Sequence, residues 1–213
     1  TTIIPAYQKF IEWQFRNLKE KNLIVQGNHP VGWCPNDQNP VSQHDTLGDV
    51  EPDFTEYIIM KFSIEDEIIP IATLRPETLF GITNLWINPK IVYKKTKVND
   101  ETWIISSECA HKLSFLDKTI EIIGDVKGSE LIGKNVKSPI SSEEFLILPA
   151  SFVSATTGTG IVMSVPAHAP YDYQALEDIK NGNTKGIPES IRDQVKAINP
   201  ITIITTEGFG EVP

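Results

Sequence analysis

Apolar residues at Tyr7, Phe10, Ile11, Phe15 and Leu18, with Lys and Glu between them, recur at helical spacing and predict a helix over about Pro5–Lys21. Pro5 suits the first helical position, and Lys19 and Lys21 stand where cations complement the C-terminal dipole. The pattern then breaks. Gly27, Pro30, Gly32, Pro35, Pro40, Gly48 and Pro52 crowd the next stretch, which excludes long elements and predicts a connector or a ribbon. From Glu56 the periodicity is that of strands, expected over residues 57–62, 68–74, 85–87, 91–97, 102–106, 119–123, 145–148, 160–165 and 201–205. Each is short, rich in β-branched or aromatic residues and bounded by turn chemistry. Helical patterns interrupt at residues 107–113, 171–180 and 188–197. Strands in the middle and helices at the periphery predict a mixed α/β fold with a barrel-like β core, rather than a doubly wound sheet.

Composition narrows the class. The chain has 213 residues, 40% hydrophobic and 22% charged, enough for one large folded domain or two small ones. Nineteen basic residues against 28 acidic give a formal charge of -9, which on its face argues against a nucleic-acid partner. Two cysteines, Cys34 and Cys109, are too few for a secreted disulfide framework and point to a reducing, cytoplasmic compartment. Apolar runs are only a few residues long, so no membrane association is expected. Thr1 is not an initiator, and Pro213 follows a loop containing Gly208 and Gly210. The chain therefore reads as a piece of a longer protein, in which case the charge describes a fragment.

Several motifs resolve to ordinary structure. The run from Gly128 to Asn135 nearly matches a phosphate-binding loop, but Asn135 stands where Ser or Thr would hold magnesium, and Pro139 leaves no room for the following helix. It reads as a turn between strands. Cys34 and His44 lack the close cysteine pair that opens structural zinc sites, so Cys34 is expected to be a small buried thiol. Cys109 and His111, two residues apart on a predicted helix, read as packing and surface. Of the four histidines only His168 lies in a suggestive place.

Two segments carry more. Gly158 to Tyr173 runs from a glycine turn through a buried strand to a loop opening a helix, with Asp172 in the first helical turn. Asp172 either complements the helix dipole or offers a carboxylate to a ligand cation, and spacing alone does not choose. Ala72 to Gly81 follows a strand and places Thr73, Arg75 and Thr78 around Pro76, which forces the chain out of regular pairing. These residues form either a Thr-rich strand edge or the rim of a small-molecule pocket.

Together the two segments resemble the editing domain inserted into the class I aminoacyl-tRNA synthetases for leucine, isoleucine and valine. Phe10 to Phe15 and Val31 to Pro35 resemble the lead-in to that insert, and Thr73-Leu74-Arg75-Pro76-Glu77-Thr78 its threonine-rich peptide. Gly158 to Tyr173 resembles its aspartate-bearing motif. With Thr83-Asn84-Leu85-Trp86 and Pro166-Ala-His-Ala-Pro, the chain is most similar to the leucyl-tRNA synthetases of archaea and the eukaryotic cytosol, the valine enzyme being the nearest rival. Leu74 and Ala169 depart from the bacterial leucine pattern, where a second threonine and an aspartate are common. The amino-acid activation motifs are absent, so this piece is not expected to aminoacylate.

The resemblance implies the editing-domain fold and organises the chain into a lead-in helix and connector (1–50), an editing core (51–200) and a return connector (201–213). It implies an aminoacyl-tRNA deacylase that hydrolyses the ester of mischarged tRNA(Leu) carrying isoleucine, methionine or norvaline-type residues. Such a second sieve exists because one methylene gives an apolar pocket only about 1–3 kcal/mol of discrimination. Implied catalytic residues are Asp172, Thr73 and Arg75. Implied substrate-binding residues are Thr78, Leu74, Met163, Val165, His168 and Asp172. Asp172 would bind the α-ammonium, Thr78 would clash with leucine's γ-branch, and Thr73 and Arg75 would place water and the terminal ribose or carbonyl. The implied partners are the 3′ acceptor end of tRNA(Leu), with its aminoacyl adenosine, and the rest of the parent synthetase. No metal or cofactor is implied for editing, ATP being used only by the parent's synthetic domain. A non-catalytic acceptor-end binding module is the alternative of another class.

Overall fold

The structure, a computed structural model, describes residues 2–27, 31–48, 55–116, 118–208 and 210–213. The chain divides into two compact units, Thr1–Thr55 and Glu56–Pro213. The expected boundary between residues 50 and 51 lies outside the described residues, as do Pro30 and Pro52 of the breaker-rich stretch.

The first unit holds helix α1 (Pro5–Glu20) and an antiparallel ribbon of β1 (Gly32–Cys34) and β2 (Asn39–Val41). Pro5 opens α1, as expected, and none of the helix's residues is buried. Cys34 is half-buried rather than buried: it sits beside the ribbon's turn, where its thiol donates to Asp37 Oδ2 at 3.4 Å. A one-turn helix at Gln43–Asp45 follows, closed by a reciprocal cap between Ser42 and Asp45.

The second unit is built on strands β3 (Ile58–Ile64), β4 (Glu67–Thr73), β5 (Asn84–Ile87), β6 (Val92–Val98) and β7 (Glu101–Ile105). After helix α2 (Ser107–Leu113) come β8 (Ile120–Lys127), the short helix α3 (Gly128–Leu131), β9 (Asn135–Lys137), β10 (Glu144–Pro149) and β11 (Ile161–Ser164). Helix α4 (Pro170–Lys180) and the short α5 (Arg192–Lys196) close the unit. The nine strands form one mixed sheet in the order β11-β5-β10-β9-β3-β4-β7-β6-β8. Two of its joints are single bridges, Ser63 with Lys137 and Ile68 with Trp103. Pro70, which cannot donate to a ladder, follows the second of them.

The sheet curls around a core to which every one of its strands contributes, for example Phe62, Ile71, Leu85, Tyr93, Ile104, Val126, Val136, Ile147 and Met163. The expected barrel-like character is this curl; among the described residues no ladder joins β11 to β8 to close it. Helices cover the outer face. Leu176 and Ile179 of α4 and Val195 of α5 pack on Trp86 and Leu148, while Cys109 and Ala110 of α2 pack on Trp103 and Ile105. Thus all four residues of β5 are buried, Leu85 and Ile87 inward and Trp86 outward.

Residues 201–205 form no strand, contrary to expectation: among the described residues they pair with neither edge of the sheet, and the Ile203 N–H goes to a side chain, His168 Nε2, instead. The helix expected over 188–197 is a one-turn helix at Glu189–Ile191 followed by α5. The near phosphate-loop is α3, a turn at Gly133 and β9, with Lys134 paired to Glu65.

Candidate active site

β4 ends at Thr73, and the chain then folds back on itself. The Thr73 hydroxyl accepts the Arg75 N–H at 3.0 Å, Pro76 opens a helical turn over Pro76–Gly81, and the Thr78 hydroxyl donates to the Arg75 carbonyl at 2.6 Å. The Thr78 hydroxyl proton is therefore committed locally, and among the described residues nothing donates to its oxygen. Arg75 is itself largely exposed at the rim, its Nε donating to Glu77 at 3.0 Å.

Opposite lies the Gly158–Tyr173 segment, and two glycines explain why it can approach. Gly158 has a φ of +55°, and a Cβ there would lie 3.2 Å from the Ala72 side chain. Gly160 has a φ of +82°, and a Cβ there would lie 2.7 Å from the Ser106 Cβ. The turn therefore lies flush against β4 and the end of β7, with its Thr159 carbonyl bonded to the Ser106 N–H. Thr83 N–H donates to the Ser164 carbonyl at 3.1 Å, tying the chain beyond the first segment to β11.

Between the two segments is a cleft of about 550 Å³, a size suited to a small-molecule moiety. It brings together every residue expected at the site: Thr73, Leu74, Arg75, Thr78, Met163, Val165, His168 and Asp172. Sequence reasoning missed Tyr57, Thr157, Ile203 and Ile204, which also line it. Tyr57 opens an ordinary strand pattern, and the two isoleucines arrive from the far end of the chain. No local signal marks any of them.

Asp172 is only 6% exposed. Its Oδ2 accepts the Val165 N–H at 2.8 Å, so the carboxylate reaches across to β11's end rather than capping its own helix. Burial pushes its pKa up, and the Val165 N–H and the indole of fully buried Trp86 pull it back in part. The Trp86 Nε1 completes no hydrogen bond of full geometry, so its influence is that of a nearby dipole. Among the described residues no Lys, Arg or His pairs with Asp172. A buried carboxylate with no internal cation is suited to receive one from a ligand. His168, on the loop between β11 and α4, accepts the Ile203 N–H at its Nε2 at 2.9 Å. No group of three or more His, Cys, Asp or Glu side chains able to hold a metal is found among the described residues. No helix among them is long and apolar enough to cross a membrane.

The family model for the leucyl-tRNA synthetase editing domain matches residues 56–203. The whole chain aligns with the leucine–tRNA ligases of Methanothrix thermoacetophila, 49% identical over 215 residues, and Methanosarcina acetivorans, 50% over 219. In each case it spans 22% of the relative's length. Among solved structures, GlLeuRS-CP1 superposes with a TM-score of 0.60 at 29% identity, covering 70% of both chains. The P. knowlesi cytosolic leucyl-tRNA synthetase editing domain shares the fold, with a TM-score of 0.57 at 17% identity over 68% of this chain and 70% of that one.

Proposed function

This chain belongs to the leucyl-tRNA synthetase editing-domain family, and from that premise we propose that it hydrolyses the ester joining a wrong amino acid to the 3′-terminal adenosine of tRNA(Leu). Isoleucine, methionine and norvaline-type residues are its targets. The observation that carries this reading is Asp172: a buried carboxylate, without an internal cation, in a cleft of aminoacyl size. An aminoacyl ester carries a free α-ammonium, which a peptidyl ester lacks, and that is the cation the carboxylate receives.

With the ammonium on Asp172, the side chain extends along Met163 and Val165 toward Thr78, whose methyl group clashes with leucine's γ-branch and spares the correct product. Thr73 and Arg75 place the water and the terminal ribose, while Leu74 and His168 border the bound group. Water oxygen bonds to the ester carbonyl carbon, the bond to the ribose oxygen of the terminal adenosine breaks, and that oxygen takes up the proton the water gives up. The products are a free amino acid and uncharged tRNA. An activated ester needs modest acceleration, so a well-placed water suffices without a cofactor. ATP serves only the synthetic part of the parent enzyme, which works in the cytoplasm and holds the body of the tRNA.

The test is deacylation of Ile-tRNA(Leu), Leu-tRNA(Leu) and a mischarged tRNA(Val) by the chain and two variants. Hydrolysis of Ile-tRNA(Leu) alone is expected. Asp172→Ala should lower it by at least about 100-fold, the scale of losing a charge-assisted contact of about 3 kcal/mol. Thr78→Ala should extend hydrolysis to Leu-tRNA(Leu). Undiminished activity in Asp172→Ala removes the carboxylate from the mechanism.

A further inference from the structure

Residues 201–204 belong to no strand, yet Ile203 and Ile204 line the cleft. Such a wall needs something to hold it. The segment presses on Gly81, where an added Cβ would come within 3.1 Å of the Ile201 carbonyl and 3.2 Å of the Ile203 side chain. It also lies near Val165, whose side chain would be 3.2 Å from the same Cβ. These apolar contacts set how close it comes but not its register along the cleft.

Among the described residues a single hydrogen bond ties the backbone of 201–204 to the rest of the unit, Ile203 N–H to His168 Nε2 at 2.9 Å. The other polar contact of the segment, Thr202 Oγ1 to the Glu211 carbonyl, stays within the chain's last residues. A backbone N–H can only donate, so Nε2 supplies a lone pair and the ring proton sits on Nδ1. The His168 N–H donates to the Val165 carbonyl at 2.9 Å, and Val165 N–H donates to Asp172. The ring is thus carried by the same loop that holds the carboxylate.

We infer that His168 is a positioning residue, which pins Ile203 so that Ile203 and Ile204 form a fixed wall of the aminoacyl pocket. The role rests on the deacylase reading of the cleft. Asp172 anchors one end of the substrate and Thr78 limits the other. The wall stops a γ-branched side chain from escaping the Thr78 clash by sliding sideways. His168 then serves specificity through the Ile203 backbone, and its ring need not touch the substrate.

Two substitutions separate this from a direct contact. His168→Gln places an acceptor oxygen near the position of Nε2, whereas His168→Leu keeps the bulk and removes the acceptor. In hydrogen exchange on the full chain, the Ile203 amide should be protected in the unmodified chain and in His168→Gln. In His168→Leu it should exchange about tenfold faster, the scale of one hydrogen bond. The ratio of kcat/KM for Ile-tRNA(Leu) over Leu-tRNA(Leu) should fall about tenfold in His168→Leu and be kept in His168→Gln. Unchanged Ile203 protection in His168→Leu overturns the pin. Equal loss of discrimination in both variants, with protection kept in His168→Gln, overturns the indirect role and puts the ring on the substrate. A chain that hydrolyses neither ester speaks against the reading of the cleft, while the exchange result still decides the pin.

Discussion

Ionising Asp172 places a carboxylate where burial disfavours charge, and the Val165 N–H and the Trp86 dipole offset that only in part. The folded-state pKa therefore lies above the ordinary aspartate value, which the unfolded chain retains. For an acid shifted this way the folded chain binds more protons than the unfolded one between the two values. The cost to stability is then complete above the folded pKa and fades as the pH falls toward about 4. Asp172→Asn keeps an oxygen for the Val165 N–H and removes the charge. It should melt at a higher temperature than the unmodified chain at pH 7, with the gap closing as the pH approaches about 4, and it should not deacylate. An unmodified chain that melts higher than the variant at pH 7 would show that the charge is stabilised by something else. The same residue shows what spacing leaves open: its place in the first turn of α4 was evident from Pro170. Burial and the bond to Val165, seven residues back, are what favour the proposed ligand site over a dipole partner, and neither is visible in spacing.

Elements reach the cleft through the turn at Gly158 and Gly160, and its demands can be separated from backbone strain alone. Gly182, just past α4, also has a positive φ, of +110°, but nothing lies within 4 Å of an added Cβ. Gly182→Ala should cost about 1 kcal/mol for its conformation. Gly160→Ala carries that strain and a Cβ 2.7 Å from Ser106 Cβ. It should cost about 2–4 kcal/mol in urea unfolding and raise KM for mischarged tRNA as the turn lifts from Ser106 at the end of β7. Equal costs at the two positions would mean that the turn does not press on the sheet. Most elements were legible because their apolar alternation is local. The run Leu85-Trp86-Ile87 read as a strand and Ser107–Leu113 as a helix, to which the structure adds the cap from Ser106. Residues 201–205 have the same β-branched composition and form no strand, since a strand needs a partner edge that composition does not supply. The apolar spacing of α1 likewise predicted its helix but not what would cover it.

For the molecule as a whole, the charge of -9 is the quantity whose meaning changes most. Affinity for a tRNA body comes from Lys and Arg neutralising phosphates, and each such contact adds about 0.7–0.9 to the steepness of the salt dependence. Among the described residues lining the cleft, Arg75 is the only Lys or Arg, and Glu77 already engages it at 3.0 Å. Recognition of a single-stranded 3′ end can rest on stacking, sugar contacts and the aminoacyl group, none of which needs net positive charge. The acidity is thus compatible with the RNA substrate proposed, provided the tRNA body is held outside this chain, which spans 22% of the length of the leucine–tRNA ligases it aligns with. The chain alone should bind uncharged tRNA(Leu) no tighter than micromolar at physiological salt, with a log–log salt slope of about -2 or shallower. Fluorescence anisotropy across a salt series measures both. Nanomolar affinity with a steep slope would instead locate a phosphate-binding surface on this chain and return the tRNA body to it.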